Sequence, residues 1–343
     1  MKKSRKLYAF IFAISIVVTI LIFFLSLIIG RYVISLKTFF AILSGNNTSL
    51  DYQNAYSVIV YIRLPRSLIA MLVGVSLSLA GLIYQQLFKN KLASPNVLGI
   101  SSGASVGAAI CIYLGMSGIF GGIVITLVSF AFGMATVLLV VAMSKVFRTK
   151  SSVSLILAGI IVSGLMSSIL SIIKTISNPD STLPQIVYWL MGSFSKANMN
   201  QFWILLPIVV ICTIILIIIR WRINLVALGR IVSMSKGLNY TFYKWLLIFI
   251  GAMLISASVA VSGNVSWVGL IIPNILTMIF KNDNRKTIIF SIPIGASFMI
   301  LVDILSRSIT PDEIPLSGIT GVIGLITIII FFILKFRKGH KNA

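Results

Sequence analysis

Ten stretches of nearly continuous apolar residues alternate with short polar connections along the chain. Each stretch holds 16 to 28 residues, and about 20 apolar residues cross the hydrocarbon core of a bilayer as a helix. The pattern therefore predicts an all-α, polytopic membrane protein with about ten transmembrane helices. The predicted spans are Leu7–Ile29, Ser67–Phe88, Ala93–Leu114, Ile119–Val146, Ser152–Ile173, Phe202–Ile219, Phe242–Ser262, Val265–Phe280, Thr287–Leu305 and Leu316–Phe336.

Two of these stretches depart from a simple span. The eighth is short and contains Pro273, which predicts a kinked or partly re-entrant helix. The first follows four basic residues, as a signal peptide does, but its apolar run is too long for a signal peptide. We therefore expect an uncleaved first span. Between the spans, the polar residues 46–54 and 177–185 predict surface loops.

Basic residues are distributed unequally between the connections. The chain has 28 Lys and Arg against 6 Asp and Glu, a net charge of +22. With the connections numbered alternately from a cytoplasmic N-terminus, 21 basic residues fall inside and 7 outside. This bias predicts that both termini are cytoplasmic. Contact with the anionic cytoplasmic leaflet of the lipid bilayer accounts for the charge. A nucleic-acid partner would need these charges on one folded face, so we expect none.

The composition argues against disulfides, metal sites, catalytic residues and ATP binding in this chain. Hydrophobic residues make up 58% of the 343 and the mean hydropathy is +1.09, above the 45–50% that is usual for soluble domains. Cys111 and Cys212 lie in apolar runs, and His340 is the single histidine. We therefore expect no disulfide, no metal site, no cofactor and no catalytic residues. A phosphate-binding GxxxxGK[ST] loop is absent from the sequence, so any ATP must be bound by a separate subunit. We expect one transmembrane domain over residues 1–343.

Asp303 is the single acid inside an apolar segment. An intramembrane carboxylate is a functional candidate, because its unpaired burial is costly. It lies near the outer end of its span, however, and Arg307 follows it at four-residue spacing. We expect a structural ion pair.

Residues 63–107 combine an Arg-Leu-Pro-Arg motif, an apolar run with a late Gly and Gln, a polar elbow, and Pro-Asn-Val-Leu-Gly followed by Gly-Ala. This block resembles the permease family of ABC importers for iron-siderophores, haem and cobalamin. Lys91 stands where the family has proline, which makes the elbow more basic. The matching positions are Arg63, Pro65, Arg66, Gly81, Gln85, Asn90, Leu92, Ala93, Pro95, Leu98, Gly99, Gly103 and Ala104.

The resemblance continues through most of the chain up to Phe336. In the block that begins at Gly263, Asn274 and Thr277 replace the family's His and Arg. The resulting Pro-Asn, followed by Asp283-Asn284, is similar to the catecholate and petrobactin-type branch. This implies an iron-siderophore as cargo, with haem or cobalamin as alternatives. The matching positions are Gly263, Val268, Gly269, Leu270, Pro273, Asp303, Arg307, Pro311, Glu313, Pro315 and Gly318.

The resemblance implies roles for residues at both membrane faces. At the outer face, Arg63, Arg66 and Arg307 would receive carboxylates of an extracytoplasmic substrate-binding protein; otherwise they are interfacial anchors. In the cytoplasmic loop over about residues 220–240, Leu228, Gly229, Arg230, Gly237 and Leu238 would form the contact with the ABC ATPase subunit. Arg230 stands where the family often has an acid. Without a partner, this basic amphipathic loop would lie on the membrane surface.

The predicted machine is a dimer in the cytoplasmic membrane of a bacterium, formed with a second copy or a paralogue. Ser163, Ser167, Ser168 and Ser171 fall at helical spacings in the fifth span. They either line the pathway or pack at a helix interface. The principal alternative is a secondary transporter that uses an ion gradient. Paired buried carboxylates would favour this alternative, but the sequence has a single intramembrane acid.

Overall fold

The computed structural model describes residues 2–45, 50–147, 152–280 and 283–340, which are almost entirely helical. A π-helical turn over Val58–Arg63 joins α3 to α4, and 3₁₀ turns over Pro95–Leu98 and Ile119–Gly122 precede α5 and α6. The helices are α1 (Lys2–Ile28), α2 (Leu36–Ser44), α3 (Leu50–Ser57), α4 (Leu64–Phe88), α5 (Ile100–Tyr113), α6 (Ile123–Val146), α7 (Ser152–Ile176), α8 (Thr182–Met191), α9 (Met199–Leu228), α10 (Arg230–Ser235), α11 (Tyr240–Ser262), α12 (Val268–Phe280), α13 (Asn284–Ser308) and α14 (Leu316–His340).

The ten predicted spans are present as apolar helices. Seven helical segments in the described ranges are long and apolar enough to cross a membrane, and three shorter ones, in α5, α12 and α14, complete the set. The eighth span is short, as predicted: α12 has 13 residues and contains Pro273. Some basic residues that carry the predicted orientation, namely Arg148, Lys150, Lys281 and Lys341, lie outside the described residues.

Several boundaries differ from the prediction. The helix of the third span, α5, begins at Ile100 instead of Ala93, because Pro95–Leu98 form a 3₁₀ turn. The sixth span, α9, continues to Leu228 instead of ending at Ile219. The residues 50–54 and 182–185, predicted as loops, belong to α3 and α8. Both α3 and α8 bury an apolar side chain next to the polar residues. Ala55 of α3 packs in a small core with Leu27 and Phe39, and Ile186 of α8 is buried.

The centre of the bundle is α4, which contacts α9, α11, α12 and α13. Its closest approach is to α12, where the motif glycines Gly81 and Gly269 meet. A Cβ atom on Gly81 would lie 1.7 Å from the Gly269 carbonyl oxygen, so only glycine permits this backbone contact. The helices that surround α4 thereby hold its two ends at fixed positions.

Candidate functional site

Five charged side chains meet at the end of the bundle that the charge bias predicts to lie outside, and we call them the outer cluster: Arg63, Arg66, Asp303, Arg307 and Glu313. Arg63 ends the π-helical turn and Arg66 lies in the first turn of α4, where Pro65 stands at a favoured position. Asp303 and Arg307 are one turn apart near the end of α13, and Glu313 lies in the loop before α14. Two segments that are distant in the sequence, residues 63–66 and 303–313, therefore supply the cluster.

Arg66 is the centre of the outer cluster. Its Nε atom donates to Asp303 Oδ1 at 2.6 Å, and Nη1 and Nη2 donate to the two oxygens of Glu313 at 2.6 and 3.0 Å. The predicted pair of Asp303 with Arg307 is present at 3.4 Å between Oδ2 and Nε. Asp303 is fully buried, and it is nearer to Arg66 than to the neighbour that the sequence suggested.

The other two arginines fasten the end of α1. Arg63 donates to the carbonyl oxygens of Leu27, Ile28 and Tyr32 at 2.6 to 2.9 Å. Arg307 donates to the carbonyl oxygen of Ser26 at 2.5 Å. The last carbonyl groups of a helix lack intrahelical partners, so cationic donors stabilise them. In this structure the three predicted docking arginines are thus directed inward, and each is at most 6% exposed.

Glu313 connects the outer cluster to the loop after α8. Burial favours the neutral acid, but the hydrogen bonds and charge of Arg66 hold the pKa of Glu313 below its usual value. Glu313 Oε2 also accepts a bond from Ser193 Oγ at 3.4 Å, and Ser193 Oγ accepts one from Tyr188 at 3.2 Å. The backbone of this loop is tied to α14 as well, through Leu316 N–H and the Gly192 carbonyl at 3.0 Å. Tyr188 and Ser193 were not predicted as site residues, although Gly192-Ser193 after an apolar stretch is a signal that the sequence contains.

The predicted coupling residues form a compact turn at the opposite end of the bundle. Leu228 ends α9, Gly229 adopts a positive φ of 98°, and the short helix α10 follows. Ser233 Oγ donates to the Leu225 carbonyl at 2.6 Å, which closes α10 back onto α9. Gly237, which follows α10 closely, has a φ of 76°, and Leu238 comes directly after it. Exposed apolar side chains cover this turn: Leu228, Ile231 and Met234.

The polar elbow consists of Lys89, Asn90 and Lys91. It lies against the turn from Leu228 through α10, which we call the coupling turn. Lys89 adopts a left-handed conformation with φ of 53°, and its Nζ atom donates to the Leu228 carbonyl at 3.0 Å. On the other side, Asn274 Nδ2 donates to the Lys91 carbonyl at 3.0 Å. Lys91 and Asn274 are both departures from the family pattern, so two unusual residues contact each other. Asn90 Oδ1 accepts from Leu92 N–H and fixes the turn between them.

The four predicted pathway serines divide into two groups. Ser163 is half-buried, donates to the Gly159 carbonyl at 2.6 Å and faces Gly99 at the start of α5. Ser167, Ser168 and Ser171 are exposed on α7. The packing explanation therefore fits Ser163, whereas the other three stand on an open face.

The remaining motif residues lie in the packed interior. Gly103 faces Thr136 of α6 so closely that a Cβ atom would lie 1.8 Å from its hydroxyl oxygen. Pro95 contacts Gly269, and Pro315 precedes α14. Gln85 is buried, and its amide atoms have no hydrogen-bond partner within the part of the chain that the structure describes. Most of the motif positions thus hold the helices at close distances.

Known transport proteins are similar to this chain over most of its length. The FecCD transport family matches residues 18–335. The molybdate import system permease protein MolB of Haemophilus influenzae is 35% identical over 321 residues, which covers 93% of each chain. The Fe(3+) dicitrate transport system permease protein FecC of Escherichia coli is 31% identical and covers 83% of this chain and 84% of its own. A solved structure described as an inward-facing, metal-chelate type ABC transporter has a TM-score of 0.83 at 33% identity and covers 94% of this chain and 98% of its own.

Proposed function

The chain belongs to the FecCD transport family, the membrane-embedded permeases of ABC importers, and from this premise we propose that its cargo is an iron-siderophore complex. It is a transport subunit and not an enzyme. In our proposal two permease chains form the pathway in the cytoplasmic membrane of a bacterium, with both termini in the cytoplasm. Separate ATPase subunits bind the coupling turn, and an extracytoplasmic binding protein delivers the cargo.

The exposed serines of α7 carry the pathway proposal. Ser167, Ser168 and Ser171 stand on an open face of a membrane-spanning helix. Ser168 Oγ donates to the Gly164 carbonyl at 3.0 Å, but three hydroxyl groups on one face remain more polar than a surface that contacts hydrocarbon alone requires. A weakly polar pathway at the interface of two permeases accounts for that polarity. A pathway of this kind lets a bulky chelate pass without binding it tightly.

Two observations support iron as the cargo. One is the Pro273-Asn274 variant, and the other is that the relative FecC is named for Fe(3+) dicitrate transport. Molybdate is the second candidate, because the name of MolB assigns molybdate import to that protein. Reconstitution with the ATPase and the binding protein of the same system separates the two. We expect iron-siderophore uptake that requires hydrolysable ATP and is not competed by excess molybdate. ATP-driven uptake of molybdate alone contradicts the iron proposal, and uptake that follows a proton gradient without ATP contradicts the importer mechanism.

We also propose that the binding protein docks at Arg63, Arg66 and Arg307. Docking on Arg66 requires that Glu313 be displaced from it. Glu313 occupies both terminal nitrogens of Arg66, and its side chain is 21% exposed, against 5% for Arg66. A carboxylate arriving from outside therefore meets Glu313 first and has to replace it on Arg66.

Glu313→Gln is expected to tighten docking roughly fivefold, the equivalent of about 1 kcal/mol, because a neutral amide holds Arg66 more weakly than a carboxylate. The affinity of the binding protein for the assembled transporter is the measurement. Asp312→Asn removes the same charge at the adjacent position and serves as the control. Equal affinities for the two variants would mean that Glu313 does not compete for Arg66.

A further inference from the structure

A groove with an apolar lining opens on the side of the bundle between α1, α4, α9 and α13. Its volume is about 350 Å³, and apolar atoms alone form its exposed surface. Several side chains at its rim, such as Ile16, Val210 and Ile214, are exposed. All four helices are predicted membrane spans, so this groove faces hydrocarbon. Lining residues from three of the helices are Phe12 and Ile16 of α1, Val210 and Ile214 of α9, and Ile292 and Ala296 of α13.

The basic ends of the same three helices are joined by cation–aromatic contacts. Lys286 Nζ of α13 lies 3.6 Å from the ring centroid of Tyr8 in α1. Arg285 Cζ, also of α13, lies 5.4 Å from the ring centroid of Trp221 in α9. Tyrosine and tryptophan prefer the level of the lipid headgroups. These contacts therefore mark one headgroup-level site shared by α1, α9 and α13.

This site stands directly above the groove. Arg285 precedes the lining residue Ile292 by seven residues, and Trp221 follows the lining residue Ile214 by seven. Two helical turns span about seven residues, so each pair lies on one face of its helix, about 10 Å apart along the axis. Half of the hydrocarbon core is about 15 Å thick. The groove thus lies at the depth of the acyl chains that belong to headgroups at the basic site.

The charges around the site leave a cationic surplus. Asp283 pairs with Arg285 at 3.0 Å and approaches Lys286 at 3.9 Å, and it accepts a bond from Asn224. Arg220 follows Thr213, another lining residue, by seven positions and so lies on the groove side of α9. Three cations, Arg220, Arg285 and Lys286, therefore accompany one carboxylate, which leaves a positive surplus for an anionic group.

We propose that the groove and the basic site together bind one anionic phospholipid. An acyl chain fills the groove, and the phosphate lies near Arg220, Arg285 and Lys286. Neither half alone selects this ligand: the groove accepts any apolar chain, whereas the cations accept any anion. Their alignment on the same three helices requires a molecule that carries both groups about 10 Å apart. The site does not depend on the cargo.

The headgroup half is tested with purified, delipidated protein by native mass spectrometry. The probes are dioleoyl phosphatidylglycerol and dioleoyl phosphatidylcholine, which differ only in the headgroup. Arg220→Gln with Lys286→Gln is expected to lower the affinity for phosphatidylglycerol roughly thirtyfold, since each basic residue contributes about 1 kcal/mol at a membrane surface, and to leave phosphatidylcholine nearly unchanged. The matched control is Arg222→Gln with Lys244→Gln, two cations that lie over the rings of Tyr243 and Trp245 elsewhere at the basic end.

The acyl half is tested in the same assay by filling the groove. Ile214→Trp is expected to weaken both lipids at least fivefold, whereas Ile326→Trp on α14, where the isoleucine is similarly exposed (53% against 51%), should change neither. Because Ile214 is exposed, this variant should fold, and an unchanged thermal midpoint checks that it does. Equal losses in the two charge variants, retention of both lipids by Ile214→Trp, or displacement of phosphatidylglycerol by inorganic phosphate would each overturn the proposal.

Discussion

The outer and inner ends of the bundle satisfy their cations by different means. At the outer end, the buried arginines Arg66 and Arg307 pair with the carboxylates of Asp303 and Glu313. At the inner end, aromatic rings and backbone carbonyls take that place, and Asp283 is the single acid among the inner connections of the sequence. Rings and carbonyls hold a cation without neutralising it. The outer charges are therefore used within the chain, whereas most inner charges keep no carboxylate partner in the part of the chain that the structure describes.

The largest effect should come from removing the centre of the outer cluster. Arg66→Met leaves the fully buried Asp303 with a single, longer partner, and loss of one member of a buried ion pair costs about 3–5 kcal/mol. Arg285→Met removes the corresponding cation from Asp283 at the inner end, where the arginine is 53% exposed, and should cost less than about 1 kcal/mol. Unfolding in detergent measures both. Similar losses would mean that the two ends are equally constrained.

A smaller effect is expected where a lysine joins the elbow to the coupling turn. Lys89→Ala removes the bond to the Leu228 carbonyl and should cost about 1 kcal/mol. ATP-driven uptake should fall more than stability does, because the end of α9, which leads into α10, then loses its bond to the elbow after α4. Lys91→Ala is the matched control, since Lys91 uses its backbone oxygen toward Asn274 and that contact survives the substitution. Equal uptake by the two variants would show that Lys89 has no special role.

The smallest difference concerns pH. Arg66 lowers the pKa of Glu313, and Arg285 with Asn224 lowers that of Asp283 against the opposing effect of burial. Each acid therefore stabilises the fold above its unfolded pKa of about 4, and this stabilisation is lost as the pH falls through the lower folded value. Thermal midpoints from pH 6 to pH 3 should fall less steeply in Glu313→Gln than in the parent chain. Asp283→Asn should flatten the curve less, because its partner Arg285 is exposed; the reverse order would contradict the comparison of the two ends.

The helices and the family were predictable because each depends on residues that are contiguous in the sequence. A run of about 20 apolar residues predicts a span by its length alone, and the Arg-Leu-Pro-Arg and Gly-rich motifs are contiguous. The short eighth span and the pair of Asp303 with Arg307 depended on neighbours within one helix. Three of the boundaries that failed, in α3, α8 and the end of α9, lie where polar residues enter helices that bury a few side chains against distant segments.

The sequence by itself determined the number of spans, their approximate limits and the excess of basic residues in alternate connections, since each depends on residues close together in the chain. The tertiary structure alone decided which partner each charge takes. Arg66 and Glu313 are separated by 247 positions, and Lys89 and Leu228 by 139. An ion pair or a hydrogen bond requires contact within about 3 Å, and the packing of the helices determines which residues of distant segments come that close.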